Sequence, residues 1–193
     1  MKTRIFLCIF FLTATFSYAQ KPAFQHPAGK LLKVNGANLW VETAGKGDPL
    51  FLITGGPGGA HVGMHSFDTL QSTSTLVYID NFGRGKSDTA KNVTEYTLSR
   101  DVEDIEGIRK ALGYDKINVL GHSYGSLVAQ SYAIKYANNT KHLIIANGFF
   151  SGEMWQANDD NSNHEIKTNY PEVWERLMEA RANGAHSCDS AHI

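Results

Sequence analysis

Ser123 lies in the hexapeptide Gly121-His122-Ser123-Tyr124-Gly125-Ser126. This is a G-x-S-x-G pattern, in which a serine hydroxyl can serve as a nucleophile. The apolar run Ile117-Asn118-Val119-Leu120 precedes it, and a helix-forming stretch over residues 127–133 follows. The local order is therefore a short strand, a tight turn and a helix. Glycines at 121 and 125 let the strand end and the helix start crowd together, which lifts the Ser123 hydroxyl clear of the sheet. The helix that begins there offers free N–H groups and a positive dipole end to a developing oxyanion. A second cluster, Gly55-Gly56-Pro57-Gly58-Gly59, ends the apolar run over residues 49–54. Its backbone N–H groups are unhindered by side chains, and its place after a buried strand fits half of an oxyanion hole.

A serine nucleophile needs a base, and the base needs an orienting carboxylate. His61 and His65 lie just past the glycine turn and could face the site as replacement bases. His122 belongs to the elbow turn and reads as structural. His26 and His142 read as surface or strand-edge residues. No strand precedes His164, His186 or His192, so none of these can be placed opposite Ser123. Cys188 stands in a polar tail beside His186, poor surroundings for a nucleophilic thiolate. The loop Gly83-Arg84-Gly85-Lys86-Ser87 lacks both the G-x-G-x-x-G spacing and the G-K-[ST] ending of phosphate loops. Asp101, Glu103 and Asp104 are expected on the solvated face of a helix, in surface ion pairs. No metal site and no cofactor is expected.

The elements that must position these residues alternate. Leu31-Leu32-Lys33-Val34 and Leu39-Trp40-Val41-Glu42-Thr43 form a hairpin about Asn35-Gly36. A buried strand covers residues 49–54, a short helix 62–71 and a strand 75–80. Thr97 caps a helix whose stripe is Leu98, Val102, Ile105, Ile108 and Leu112, ended by Gly113. The elbow strand and helix follow, then a further buried strand over residues 142–148. Such alternation means βαβ units and a mainly parallel sheet, with both glycine turns at one carboxyl edge. Beyond residue 150 the composition turns polar, and one more helix is expected over residues 171–182.

The 193 residues carry a net charge of −1, which gives no basic footprint for nucleic acid. Residues 1–19 read as a signal peptide. Lys2 and Arg4 precede an apolar run over residues 5–16, and Ser17-Tyr18-Ala19 places small residues before a cut at Gln20. The run is shorter than the ~20 apolar residues a spanning helix needs. The chain is therefore expected to be secreted or periplasmic, without a stable membrane anchor after cleavage. Cys8 lies in that segment, so Cys188 alone remains and no internal disulfide can form. The expected divisions are the signal peptide (1–19), an extended lead-in (20–30), an α/β core (31–150) and a partial helical cap (151–193).

Three motifs occur together in order: Gly55-Gly56-Pro57-Gly58, Asp80 with Gly83-x-Gly85-x-Ser87, and Gly121-His122-Ser123-Tyr124-Gly125. In this the chain resembles the α/β-hydrolases. More narrowly it resembles the proline iminopeptidase branch, with its H-G-G-P-G turn and G-x-S-[WY]-G elbow. The resemblance covers about residues 31–150. It implies an α/β-hydrolase fold, acylation of Ser123, and an oxyanion held by the backbone N–H groups of Gly56 and Tyr124. It implies a small peptide or ester substrate and release of N-terminal residues. Thr54 stands where many relatives carry histidine before the paired glycines. The family's triad Asp and His, expected beyond a helical cap, are not found in the chain, so it is expected to be C-terminally truncated and weak as it stands. A non-catalytic ligand-binding homologue and an esterase of the same fold are the alternatives. An epoxide or haloalkane hydrolase is excluded, since those need a carboxylate at the elbow. In the cap, Glu153, Glu165, Trp155 and Trp174 either line a pocket for an amine-bearing substrate or simply pack.

Overall fold

Asn35 and Gly36 both take positive φ, 48° and 82°, the conformation a two-residue hairpin turn requires. They join β1 (Lys30–Val34) to β2 (Ala37–Gly45) in an antiparallel pair. The structure, a computed structural model, describes Phe24, His26 and residues 28–184. The expected signal peptide with its cleavage site, Cys8, Cys188, His186 and His192 lie outside the described residues.

β3 (Asp48–Ile53), β4 (Ser74–Ile79), β5 (Ile117–His122) and β6 (Thr140–Ala146) complete a six-stranded sheet in the order β1-β2-β4-β3-β5-β6. β4 to β6 run parallel to β3, while β1 and β2 are antiparallel additions at one side. The chain leaves β3 for β4 on one flank and later returns to β5 on the other. The crevice between β3 and β5 is thus a topological switch point, where ligands of open α/β sheets bind. Ile53 pairs with Gly121 there, so the glycine turn and the elbow leave the sheet side by side.

Side chains along β3 alternate between two cores, as the pleat dictates. Phe51 and Ile53 face Val102, Ile105 and Ile108 of α1 (Leu98–Ala111) and Val128, Ala129 and Tyr132 of α2 (Tyr124–Lys135). Leu50 and Leu52 join Met64, Leu76, Tyr78 and Leu120 on the opposite face. Met64 comes from His61–Ser72, a run of 3-10 turns where a short helix was expected. The Thr97 hydroxyl accepts from the Arg100 N–H and starts α1, as its sequence predicts.

One expectation about the sheet needs correction. β6 is not a buried strand: all its residues are exposed or half-exposed, with Leu143, Ile144 and Ile145 each about 40% exposed. The polar stretch before the helix expected over residues 171–182 is itself helical. It forms α3 (Gly152–Asn169), followed by α4 (Pro171–Ala182), and neither helix buries a residue. Ser151 caps α3, and i,i+4 side-chain pairs such as Gln156–Asp160 and Asn163–Asp159 support it. Among the described residues no helix is long and apolar enough to cross a membrane.

Candidate active site

Between β5 and α2 the backbone is forced through Ser123 at φ 53°, ψ −122°, a strained conformation for a residue with a Cβ. Close packing on either side maintains it. A Cβ on Gly121 would lie 2.2 Å from the Gly125 carbonyl oxygen, and one on Gly125 would lie 2.3 Å from that of Ile53. The strand end and helix start therefore touch through backbone alone. The Ser123 N–H donates to the Ala146 carbonyl at 3.1 Å, and its own carbonyl accepts from the Ser126 N–H at 2.9 Å.

The glycine turn reaches the elbow. A Cβ on Gly55 would stand 2.8 Å from Ser123 Cβ and 3.2 Å from His122 Nδ1. Gly56 follows at φ 120°, beyond what a larger residue tolerates. The Gly59 N–H closes the turn onto the Gly55 carbonyl, and the Thr54 hydroxyl donates to the Gly59 carbonyl. Thr54, which stands where many members of the resembled branch have histidine, thus holds the turn's shape. Pro57 and Gly58 form its exposed tip.

The sequence did not reveal a polar clamp that joins the turn to the elbow. Arg84 donates from Nε to the Pro57 carbonyl and from a terminal nitrogen to Asp101 Oδ1 at 2.6 Å. The Tyr124 hydroxyl donates to Asp101 Oδ2 at 2.9 Å, and the Arg84 guanidinium sits 5.6 Å from the Tyr124 ring centre. Burial, helped by the Asp101 charge, pushes the Tyr124 phenol up to about 12. Asp101 and Asp104 are therefore buried, not on the solvated face expected of them. Asp104 binds Asn35 and Arg100, and burial raises its carboxyl above the ordinary range. Glu103, half-buried, pairs with Lys135 and accepts from the Tyr136 hydroxyl. The three carboxylates have separate partners and converge on no common point.

His61 and His65 do not face Ser123. His61 is buried with Nδ1 at 2.8 Å from Asp80 and Nε2 at 2.9 Å from Glu42. Both ring nitrogens are taken, so it offers no base. Asp80, fully buried, also accepts from the His61 and Lys86 N–H groups. The Gly83–Ser87 loop thus fixes a carboxylate in the sheet edge rather than a phosphate. His142 lies exposed on β6, bonded to Asn118, and His164 lies exposed on α3.

Ser123 borders two cavities. One, of about 390 Å³, is walled by Thr54, Gly55, Gly56, Val62, Met64 and His122, among others. The other, of about 370 Å³, is walled by Asn147, Gly148, Phe149, Met154, Trp155 and Asn158. Phe149 and Trp155 stack at 5.1 Å between ring centres. Of the cap residues expected to line a pocket, Trp155 does so, whereas Glu153, Glu165 and Trp174 line neither cavity. Among the described residues no carboxylate lines either cavity, and His122 is the one histidine that does. Among the described residues no side chain hydrogen-bonds Ser123 Oγ.

A strand–elbow–helix at a sheet switch point, faced by a glycine turn, defines a class of hydrolase folds. The alpha/beta hydrolase fold family matches over residues 48–186, and the chain belongs to that family. It is 36% identical over 124 residues to a proline iminopeptidase of Saccharolobus solfataricus, spanning 63% of this chain and 37% of that protein. It is 32% identical over 155 residues to one from Elizabethkingia meningoseptica, spanning 77% of this chain and 50% of that one. The chain thus spans half or less of the length of these relatives. Among solved structures, VinJ superposes with a TM-score of 0.77 at 19% identity, covering 86% of this chain and 58% of that one. A putative alpha/beta hydrolase from Nostoc sp PCC 7120 gives 0.57 at 28% identity, covering 61% and 42%.

Proposed function

We propose that the chain carries the nucleophile half of a serine hydrolase that releases N-terminal residues from small peptides, through an acyl-enzyme on Ser123. The observation that carries this reading is the strained elbow held in contact with Gly55, at the mouth of two cavities. Strain of this kind persists only where surrounding structure over-determines it, and it clusters at active sites. The Gly56 and Tyr124 backbone N–H groups would receive the oxyanion, and the Phe149–Trp155 wall would take a compact apolar ring or side chain. The similarity to proline iminopeptidases supports a peptide with a free amino end as substrate. The triad Asp and His are not supplied by the residues described. Residues 1–19 would direct the chain out of the cytoplasm.

With no base on Ser123 Oγ among the described residues, the expected rate is that of the hole and of binding alone, ~10³–10⁴-fold over water. Release of naphthylamine from proline β-naphthylamide by this chain is expected to be slow and to vanish in Ser123→Ala. That no described residue hydrogen-bonds Ser123 Oγ also favours a second reading, a ligand-binding homologue without turnover. Such a protein would be stabilised thermally by the ligand, would release no product, and would bind equally well as Ser123→Ala.

A further inference from the structure

The sequence pointed to no metal site, yet folding brings two histidines and a carboxylate together away from Ser123. His26 comes from the lead-in, Glu42 from β2 and His65 from the 3-10 run, and one ligand atom of each lies within 4.8 Å of the others. We propose that these three side chains bind a divalent cation of the zinc class and thereby fasten the lead-in to the sheet. The first observation is an unpartnered atom. His65 Nε2 is shielded from solvent and has no hydrogen-bond partner, an arrangement that ordinarily carries a penalty. It faces Glu42 Oε2 at 3.6 Å. That gap is too long for a hydrogen bond, but it approaches the roughly 3.4 Å between two ligands on a tetrahedral ion with bonds near 2.1 Å; the His26 ring, stacked on His65 at 3.8 Å between centres, would swing outward to share the ion.

The second observation is that two of the three ligands, Glu42 and His26, are held from behind, as metal ligands are. Glu42 Oε1 accepts from Trp40 Nε1 at 3.0 Å and lies 2.9 Å from His61 Nε2, which leaves Oε2 to point at His65. His61 is fixed in turn by Asp80. His26 Nε2 lies 2.9 Å from Asp68 Oδ2, and the Tyr78 hydroxyl donates to the other Asp68 oxygen. His26 is exposed, which leaves the cluster an open approach. Two imidazoles with one carboxylate suit zinc and its neighbours, whereas magnesium and calcium prefer oxygen ligands throughout. Three protein ligands leave a fourth position for water. None of the three lines either cavity at Ser123, so the ion acts on stability rather than on the reaction.

Titration of the tag-free, metal-stripped chain with zinc chloride, followed by calorimetry and by thermal unfolding, tests this. The proposal expects one site with a dissociation constant on the order of micromolar or tighter, and a higher Tm with zinc but not with magnesium. His26→Ala, at an exposed position, and His65→Ala should each weaken binding by at least about tenfold and abolish the Tm gain. The His26 variant keeps the test valid should the His65 variant fold poorly. No Tm gain at ~100 µM zinc, or the same affinity in the His26→Ala variant, would overturn the proposal.

Discussion

The two sides of Ser123 are built differently. Towards β2, β3, β4 and β5, residues such as Leu39, Phe51, Leu52, Val77 and Ile117 have no exposed surface, and both sheet faces are covered. Strand β6 and helices α3 and α4 bury no residue of their own, and Phe150 and Trp155 are half or more exposed. One wall of the candidate site is pinned by backbone contacts and a buried ion pair. The other is tied to α2 mainly through Ser126 and Gln130, which bond the backbone of Phe149. The first side fixes where Ser123 stands. The second is the more loosely packed of the two.

Matched substitutions would break or sharpen that contrast. Leu52→Ala removes a fully buried side chain from the sheet centre and should destabilise by about 2–5 kcal/mol in urea unfolding. Leu143→Ala, on β6, removes the same atoms from a site 40% exposed and should cost under about 1 kcal/mol. Equal losses would show that β6 is packed as tightly as β3.

The next effect concerns acid. Glu106 on α1 pairs with Arg109 and accepts from the Tyr132 hydroxyl of α2. Arg109 foremost, with help from Lys110 and Tyr132, holds its carboxyl down at about 2, against an ordinary 4.5. A depressed carboxylate adds stability above its unfolded value, and this is lost as pH falls from about 4.5 to about 2. Unfolding measured across that window should show the loss in the native chain and a flatter profile in Glu106→Gln. An unchanged profile would place the acid-sensitive contact elsewhere. Smaller still, Tyr124→Phe deletes the hydroxyl on Asp101 and should destabilise by about 1 kcal/mol. A change below the error of unfolding would mean that Arg84 alone holds the turn to the elbow.

The legible parts of the fold were those written in adjacent residues. Asn35-Gly36 specifies its turn, Thr97 its cap and Gly121 to Gly125 the elbow, each through contacts within a few positions. The burial of Asp101 was not legible, because its partners Arg84 and Tyr124 lie 17 and 23 residues away. On a helical wheel it reads as a surface charge. His61 could have served as a replacement base until Glu42 on β2 and Asp80, just past the end of β4, were seen to take both its nitrogens. α3 escaped notice because it has no apolar stripe. Its support is polar and lies in pairs four residues apart, which periodicity of hydrophobic residues cannot register.

The central claim is that Ser123 is the nucleophile of this fold. Long incubation with a fluorophosphonate, followed by peptide mass spectrometry, reads it directly. A slowly formed adduct is expected on the peptide containing Ser123, and none there in Ser123→Ala. An adduct confined to another residue, or no adduct at Ser123 after exhaustive labelling, would contradict it.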